Sequence, residues 1–210
     1  MRHLPTMVSC ALASVIASGA GAGVVGYWHF NGVDPETSTV LTASQGAGLF
    51  DFTSFGTGAS VFAGTDMNAQ PNVIAGDSLG LTGSSHNGSW AQIDVSTAGF
   101  TDLNLSFAVR RSSTGFVNSH VDALIGGTWT VVSTFNASTT AWGMVNVDLA
   151  SLNSLENGTA SLRLVFDGAT SGSGTVRFDN LLLTGSVPAP GALALLGAAG
   201  AVARRRRRAA

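Results

Sequence analysis

Short runs of alternating apolar and polar residues fill positions 23–186, and Gly, Ser, Thr, Asn or Asp interrupt them about every eight to twelve residues. The clearest run is 103–110, in which each odd position is Leu, Phe or Val. Side chains alternate between the two faces of a strand. We therefore expect the odd positions of this run to face a core and the even positions, which end at Arg110, to face mostly solvent.

The other runs extend this pattern over the whole segment. Gly126-Gly127 separates two of them and predicts a two-residue hairpin turn, because both glycines tolerate positive φ. About ten strands, with no helix beyond one turn in 149–155, predict an all-β fold, a jelly-roll-like antiparallel β-sandwich. Besides 103–110, the predicted strands are 24–30, 49–55, 89–95, 121–125, 128–135, 142–149, 160–167 and 175–183.

The first 22 residues depart from this pattern. Arg2 and His3 precede an apolar stretch at positions 7–16, and small residues follow up to Ala22. That order is typical of the helix of a secretory signal peptide, and it leaves residues 23–186 as one domain. The alternative, a lipoprotein leader that ends at Cys10, is disfavoured because the apolar stretch before Cys10 is too short.

Residues 187–210 contain three parts in a fixed order. Pro188 and Pro190 keep the first part extended, because neither proline can donate a backbone hydrogen bond. The apolar run 192–203 would form a short transmembrane helix of about 18 Å, against a bilayer core of about 30 Å. The third part is a basic cluster that would stay in the cytoplasm, formed by Arg204, Arg205, Arg206, Arg207 and Arg208.

These residues resemble the tail of the PEP-CTERM family of exported Gram-negative bacterial proteins, which has Val-Pro-Glu-Pro, a small residue, an apolar helix and an arginine cluster. Val187, Pro188, Pro190 and Gly191 match, whereas Ala189 replaces the glutamate. The resemblance implies export by the general secretion machinery, transient membrane attachment through the tail helix, and removal of the tail by an exosortase. It implies a protein of the cell surface or of a biofilm matrix, and Ala189 leaves the exosortase subtype open.

A second resemblance lies at the end of the domain. Asp179-Asn180 within an apolar run is similar to the last strand of carbohydrate-binding-type jelly rolls. More broadly, residues 97–179 resemble an uncharacterised jelly-roll module of secreted bacterial proteins. This resemblance implies a fold and does not identify an activity.

Charge and cysteine content narrow the classes of function. Residues 23–186 contain four arginines, no lysine and all twelve acidic residues, which gives a formal charge of −8 (4 − 12). An acidic domain without a basic stripe is not expected to bind nucleic acid. The single cysteine, Cys10, lies in the leader, so the domain has neither disulfides nor thiolate chemistry.

The acidic residues allow two kinds of site besides plain solvated charge. Oxygen ligands at strand ends are typical of structural calcium in extracellular sandwiches, and calcium is therefore the one cofactor that the sequence suggests. Two carboxylates across a groove would instead suit a glycoside hydrolase, the least favoured interpretation. The candidate calcium ligands are Asp34, Glu36, Asp167 and Asp179.

The tryptophans offer a further candidate site. An exposed indole can stack on the apolar face of a sugar ring, although tryptophan is more often a core residue. We expect a non-enzymatic surface or matrix protein, associated with exopolysaccharide. The alternative is a carbohydrate-binding module, which two or more tryptophans exposed on one sheet face would distinguish. The candidates are Trp28, Trp90, Trp129 and Trp142.

Overall fold

The structure, a computed structural model, describes residues 21–187. Most of the predicted signal peptide, residues 1–20, therefore lies outside the described residues. So does the predicted sorting tail after Val187, which includes Pro188, Ala189, Pro190, Gly191 and the arginines 204–208. The described strands begin at Gly21 and end at Val187, slightly beyond the predicted domain limits of 23 and 186. Within the described part, no helix is long and apolar enough to cross a membrane.

Strands account for nearly all of the regular structure between residues 21 and 187. Three short 3₁₀ segments accompany them, at Thr53–Gly58, Ser84–His86 and Asn153–Leu155. The strands are β1 (Gly21–Trp28), β2 (Val40–Thr42), β3 (Gln45–Gly46), β4 (Leu49–Asp51), β5 (Ala59–Ala63), β6 (Asp77–Thr82), β7 (Ser89–Ser96), β8 (Thr101–Arg111), β9 (Asn118–Ile125), β10 (Thr128–Phe135), β11 (Gly143–Asp148), β12 (Thr159–Asp167) and β13 (Thr175–Val187).

The strands form two antiparallel sheets that pack as a sandwich, which confirms the predicted fold class. The seven-stranded sheet has the order β11-β8-β13-β1-β3, and β6 with β5 also joins β13. The six-stranded sheet has the order β10-β9-β12-β7-β4-β2. This order places β12 between β9 and β7. Outward side chains from distant parts of the chain therefore lie next to one another.

A phenylalanine-rich core fills the space between the sheets. Phe166 of the six-stranded sheet and Phe178 of the seven-stranded sheet are fully buried, and their rings stack with centroids 5.9 Å apart. Phe50 contributes a further edge contact to Phe178 at 5.6 Å. Offset and edge-on aromatic pairs add to the burial energy, so these contacts stabilise the packing of one sheet on the other.

The predicted hairpin at Gly126-Gly127 is present. Both glycines have positive φ, 57° and 83°, and Ile125 pairs directly with Thr128. The strand predicted for 49–55 is wrong in its second half, because β4 ends at Asp51. There the Asp51 carboxylate accepts a hydrogen bond from the backbone N–H of Thr53 at 2.8 Å, and such local bonds compete with a sheet ladder.

The prediction that the even positions of β8 face solvent is also wrong in part. Ser106 and Ala108 are buried on the outward side of the seven-stranded sheet. Asn68, in the segment between β5 and β6, donates a hydrogen bond to Ser106 Oγ at 3.1 Å. This segment, residues 64–76, therefore covers one half of the outward face, and we call it the covering segment.

A β-bulge at Asn180 sets which residues of β13 face outward. Val176 and Phe178 are core residues before it, and Leu181 and Leu183 are core residues after it. The register with β8 shifts between Asp179 and Leu182, and Asn180 has φ of 51°. A bulge absorbs one extra residue, so the apolar side chains stay inward on both sides of it.

Candidate functional site

The outward face of the six-stranded sheet carries a row of polar side chains across four strands. Arg163 of β12 pairs directly with Gln92 of β7 and with Asp122 of β9. Gln92 pairs in turn with Asp51 of β4. Directly paired residues point to the same side of a sheet, and the neighbouring residues Leu162 and Leu164 are buried in the core. The four polar side chains therefore form a continuous outward row.

Hydrogen bonds link this row into a network. Arg163 donates from Nε to Gln92 Oε1 at 2.9 Å, and Gln92 donates from Nε2 to Asp94 Oδ2 at 2.7 Å. Ser161 donates from Oγ to Asp94 Oδ1 at 2.5 Å. Each side chain is thus oriented by a neighbour, which reduces the side-chain entropy that a ligand would otherwise have to remove on binding.

Two tryptophans stack on the same arginine. The guanidinium carbon of Arg163 lies 4.3 Å from the ring centroid of Trp90 and 3.9 Å from that of Trp129. Trp90 belongs to β7 and Trp129 to β10, on opposite sides of β12 in the sheet. Burial lowers the pKa of Arg163, and the charges of Asp122 and Asp94 partly offset this. An arginine guanidinium stays protonated in proteins, so Arg163 is a cation that stacks on both indoles.

Both indoles remain open to solvent in part. Trp90 is 37% exposed, the largest value for an aromatic side chain among the exposed hydrophobic residues of the described chain. Trp129 is half-exposed. We call the surface formed by Trp90, Trp129, Gln92, Asp122 and Arg163 the tryptophan face.

One end of the tryptophan face leads into a shallow depression. His120 lines it together with Asn118 and Asn136, and its volume is about 430 Å³. Within the described residues, Oδ1 of Asp122 is buried and accepts no hydrogen bond, while His120 Nε2 lies 3.5 Å from it. Buried carboxylate oxygens normally have a partner, and the basic group that the structure places beside this one is the His120 ring.

The structure separates the four tryptophans that the sequence suggested. Trp28 is 1% exposed and packs against Phe50 in the core, so its prediction as a sugar-stacking residue is wrong. Trp142 lies beside β11 in the other sheet, with Arg110 over its ring at 5.9 Å. Only Trp90 and Trp129 of the four share a face.

The structure does not bring the four candidate calcium ligands together. Asp34 and Glu36 lie on an exposed turn, and Asp167 is exposed where β12 ends. Asp179 is fully buried. Between residues 21 and 187, no group of three or more His, Cys, Asp or Glu residues is placed to hold a metal ion. These acids therefore do not form one calcium site in the described part of the chain.

Asp179 instead anchors the covering segment. Its carboxylate accepts hydrogen bonds from the backbone N–H groups of Thr65 and Asn180, each at 2.8 Å. Burial raises the pKa of Asp179 to about 7, against these two hydrogen bonds, which lower it. Desolvation disfavours the charged form of a carboxyl group, so Asp179 is a structural acid that is partly neutral near pH 7.

Asn180 completes this anchor. It donates to the carbonyl oxygens of Thr65 and Met67, at 2.7 and 2.9 Å, and accepts a hydrogen bond from the Tyr27 hydroxyl at 2.6 Å. The Asp-Asn pair that the sequence singled out therefore holds a loop in place, and both side chains are buried.

Comparison with known proteins gave structural similarities only. No protein-family model matches the sequence, and no curated protein matches it. Among solved structures, the CBM22-1 xylan-binding domain of Paenibacillus barcinonensis Xyn10C is similar over 82% of this chain and 99% of its own, at 13% identity and a TM-score of 0.46. TmCBM61 in complex with β-1,4-galactotriose is similar over 61% of this chain and 82% of its own, at 10% identity and a TM-score of 0.41.

A family 35 carbohydrate-binding module from an environmental isolate is similar over 49% of this chain and 72% of its own. Its identity is 22% and its TM-score is 0.36. Xylan and galactotriose are ligands of those similar proteins. A function for this chain has to be argued from its own residues.

Proposed function

We propose that residues 21–187 form a non-catalytic carbohydrate-binding domain and that its tryptophan face binds a neutral polysaccharide. The observation that carries this proposal is the position of Trp90 and Trp129, two partly exposed indoles fixed over one arginine on a single sheet face. Binding sites with few charged contacts depend on such rigid aromatic anchors.

The chemistry of the face suits a sugar chain. The apolar C–H surface of a pyranose can stack on an indole, while its hydroxyl groups require donors and acceptors at the edges of the ring. Gln92 and Arg163 supply donors. The carboxylates of Asp51 and Asp94, which are only partly buried, supply acceptors. Asp51, Asp94 and Asp122 make the face acidic, which favours a neutral chain over an anionic one.

Affinity electrophoresis of the full chain tests this proposal. Gels containing neutral polysaccharides, such as glucan, xylan, galactan and mannan, should retard the wild-type protein in at least one case. Trp90→Ala should reduce the retardation strongly. Trp142→Ala is the matched control because Trp142 lies on the other sheet. Equal retardation of the wild type and Trp90→Ala would contradict a role for the tryptophan face.

We further propose that the domain reaches the cell surface or an extracellular matrix as an exosortase substrate. The support is the order of parts in the sequence: Pro188 and Pro190, the apolar run 192–203, and five arginines. An apolar helix of about 18 Å is short for a bilayer core of about 30 Å. Such a tail suits transient attachment better than a permanent anchor.

Two sets of substitutions separate recognition of the tail from its retention. Replacing Pro188 and Pro190 by alanine should leave uncut, membrane-associated precursor. Replacing the five arginines by serine should release unprocessed protein, because the cytoplasmic stop is lost. Mass spectrometry of the C-terminus reads both outcomes. Recovery of wild-type protein with Arg204 still attached would show that the tail is an ordinary anchor.

A further inference from the structure

Two arginines face each other on the open half of the other sheet. Arg110 of β8 pairs directly with Arg177 of β13, and both side chains are half-exposed. Residues 21–187 contain only four arginines and no lysine, against twelve acidic residues. Like charges placed directly opposite each other destabilise a sheet. The domain thus holds two of its few cations where they repel each other.

Within residues 21–187, neither guanidinium has an acidic partner. Among the described residues, the contact within 4.0 Å between a basic and an acidic side chain joins His120 and Asp122, on the opposite side of the molecule. The neighbouring Arg111 differs, because it donates to the carbonyl oxygens of Ala137 and Ser112 at 3.0 and 3.1 Å. Burial lowers the pKa of Arg177, and the positive charge of Arg110 lowers it further.

Aromatic side chains flank the pair on both sides. The guanidinium carbon of Arg177 lies 3.9 Å from the ring centroid of Phe62, and that of Arg110 lies 5.9 Å from the ring of Trp142. Phe62 can take this position because Gly80 lies beneath it, where a Cβ atom would collide with its ring. The glycine in β6 therefore allows the phenylalanine to support Arg177.

This arrangement is suited to an anion carried on a sugar. Cβ atoms of directly opposed residues are about 5 Å apart, and the charge of Arg110 is close enough to lower the pKa of Arg177. An anion that enters between the two side chains can therefore interact with both guanidiniums. Guanidinium geometry matches such groups with parallel hydrogen bonds. The flanking rings offer apolar surface to the sugar that carries the charge. A nucleic acid has one charge per about 1.7 Å of duplex, and a site of two arginines without a basic stripe does not match that charge density.

We propose that Arg110 and Arg177 form a second binding site, which takes the carboxylate or sulfate group of an acidic polysaccharide between Phe62 and Trp142. We call it the arginine pair. It lies on the seven-stranded sheet, whereas the tryptophan face lies on the six-stranded sheet. The two sites can therefore fail independently: one requires Trp90 and Trp129, and the other requires Arg110 and Arg177.

Binding of the full chain to four polymers at low ionic strength tests the arginine pair. The probes are a polyuronate, dextran sulfate, neutral dextran and duplex DNA, measured by affinity electrophoresis. We expect retardation by the polyuronate or by dextran sulfate, and the stronger of the two identifies the anionic group. Retardation should weaken as salt is added. Binding to DNA with none to either acidic polysaccharide would overturn the proposal.

Charge-matched variants locate the binding. Arg110→Gln and Arg177→Gln should each weaken it about tenfold, because each removes a charge-assisted contact. Ser151→Asp changes the net charge by the same one unit on an exposed turn beyond the far end of β11, and it should leave the affinity nearly unchanged. An equal loss in Ser151→Asp would show a general charge effect and overturn the site, as would unchanged binding in both arginine variants.

A folding measurement separates binding from structural support. If the arginines served only to stabilise the sheet, Arg110→Gln would lower Tm. We expect Tm to stay within about 2 °C, because relief of the repulsion offsets the lost contact with Trp142. A large drop in Tm together with lost binding would assign the pair a structural role and contradict the proposal.

Discussion

The arginines on the outward faces of the two sheets have opposite surroundings. On the six-stranded sheet, Arg163 is stacked by two indoles, bonded to Gln92 and set among carboxylates. On the seven-stranded sheet, Arg110 and Arg177 oppose each other without a described acidic partner. These contacts fix the orientation of Arg163 on the tryptophan face. No described carboxylate neutralises Arg110 or Arg177, and that pair is available to an anion.

The seven-stranded face is itself divided. The covering segment buries Asp179, Asn180 and Ser106 on one half, and the other half stays open around Arg177. Arg177 and Asp179 lie two positions apart on β13 and face the same way, yet only Asp179 is fully buried. The covering segment therefore accounts for the difference between two outward-facing residues of one strand. Asp179 lies beneath it and is a buried structural anchor, whereas Arg177 lies outside it and is an accessible cation.

The largest expected effect concerns the buried acid under the covering segment. Because the pKa of Asp179 rises from 3.8 to about 7 on folding, the unfolded chain loses this proton at lower pH than the folded chain does. The Asp179 contribution to stability is therefore full below about pH 4, falls as pH rises to about 7, and is constant above that. At 1.36 kcal/mol per pKa unit, the loss is up to about 4 kcal/mol.

Urea unfolding of the wild type and Asp179→Asn at pH 4 and pH 8 checks this. The amide does not titrate, so the difference in unfolding free energy should shift in favour of Asp179→Asn at the higher pH. If the difference is the same at both pH values, the folded-state pKa of Asp179 is not raised.

A smaller effect is expected at Gly80, which makes room for Phe62. Gly80→Ala should displace the Phe62 ring, lower the unfolding free energy by about 1–3 kcal/mol, and weaken binding at the arginine pair. Gly143→Ala is the control, since a Cβ atom there would meet nothing closer than 3.9 Å. Thermal unfolding of both variants makes the comparison. A Gly80→Ala protein as stable as Gly143→Ala would show that Phe62 does not need the glycine.

Replacing Arg163 should lower the unfolding free energy more than replacing Arg110 does. Arg163→Gln removes two indole contacts and a hydrogen bond, and we expect it to lower the unfolding free energy by about 1–2 kcal/mol. Chemical denaturation measures this change. A loss below about 0.3 kcal/mol would mean that the stack contributes little and that the indoles are positioned by the sheet alone.

The smallest effect is expected for Arg110→Gln under the same conditions. Relief of repulsion from Arg177 is worth about 0.2–0.5 kcal/mol, and the contact with Trp142 is long at 5.9 Å. The unfolding free energy should therefore change by no more than about 0.5 kcal/mol in either direction. A loss as large as that of Arg163→Gln would remove the difference between the two faces.

The alternation of residues contains enough information to assign the outward side of some strands. Ala91 and Ile93 are apolar neighbours of Trp90, and Leu162 and Leu164 flank Arg163, so period two alone indicates that Trp90 and Arg163 point away from the core. Trp28 gave no such signal, because its neighbour Tyr27 is also buried. Two adjacent buried residues have no period that could distinguish core from surface.

Other features depend on pairings that no local pattern contains. Trp90 and Trp129 meet Arg163 only because the sheet order places β12 between β7 and β9. Ser106 is buried only because the covering segment crosses β8, and Arg110 opposes Arg177 only through a register between distant strands. Strand β6 was missed because Gly80 interrupts it, and glycine is unfavourable within strands.

Intrinsic tryptophan fluorescence tests the central claim most directly. The protein is titrated with the neutral polysaccharide that retards the wild type. The wild-type emission should shift and saturate, because a sugar that covers Trp90 and Trp129 changes the surroundings of both indoles. In Trp90→Ala/Trp129→Ala, Trp28 and Trp142 still report on the fold, but neither the shift nor retardation should remain. A double variant that titrates with the wild-type affinity would contradict the assignment of the tryptophan face as the carbohydrate-binding site.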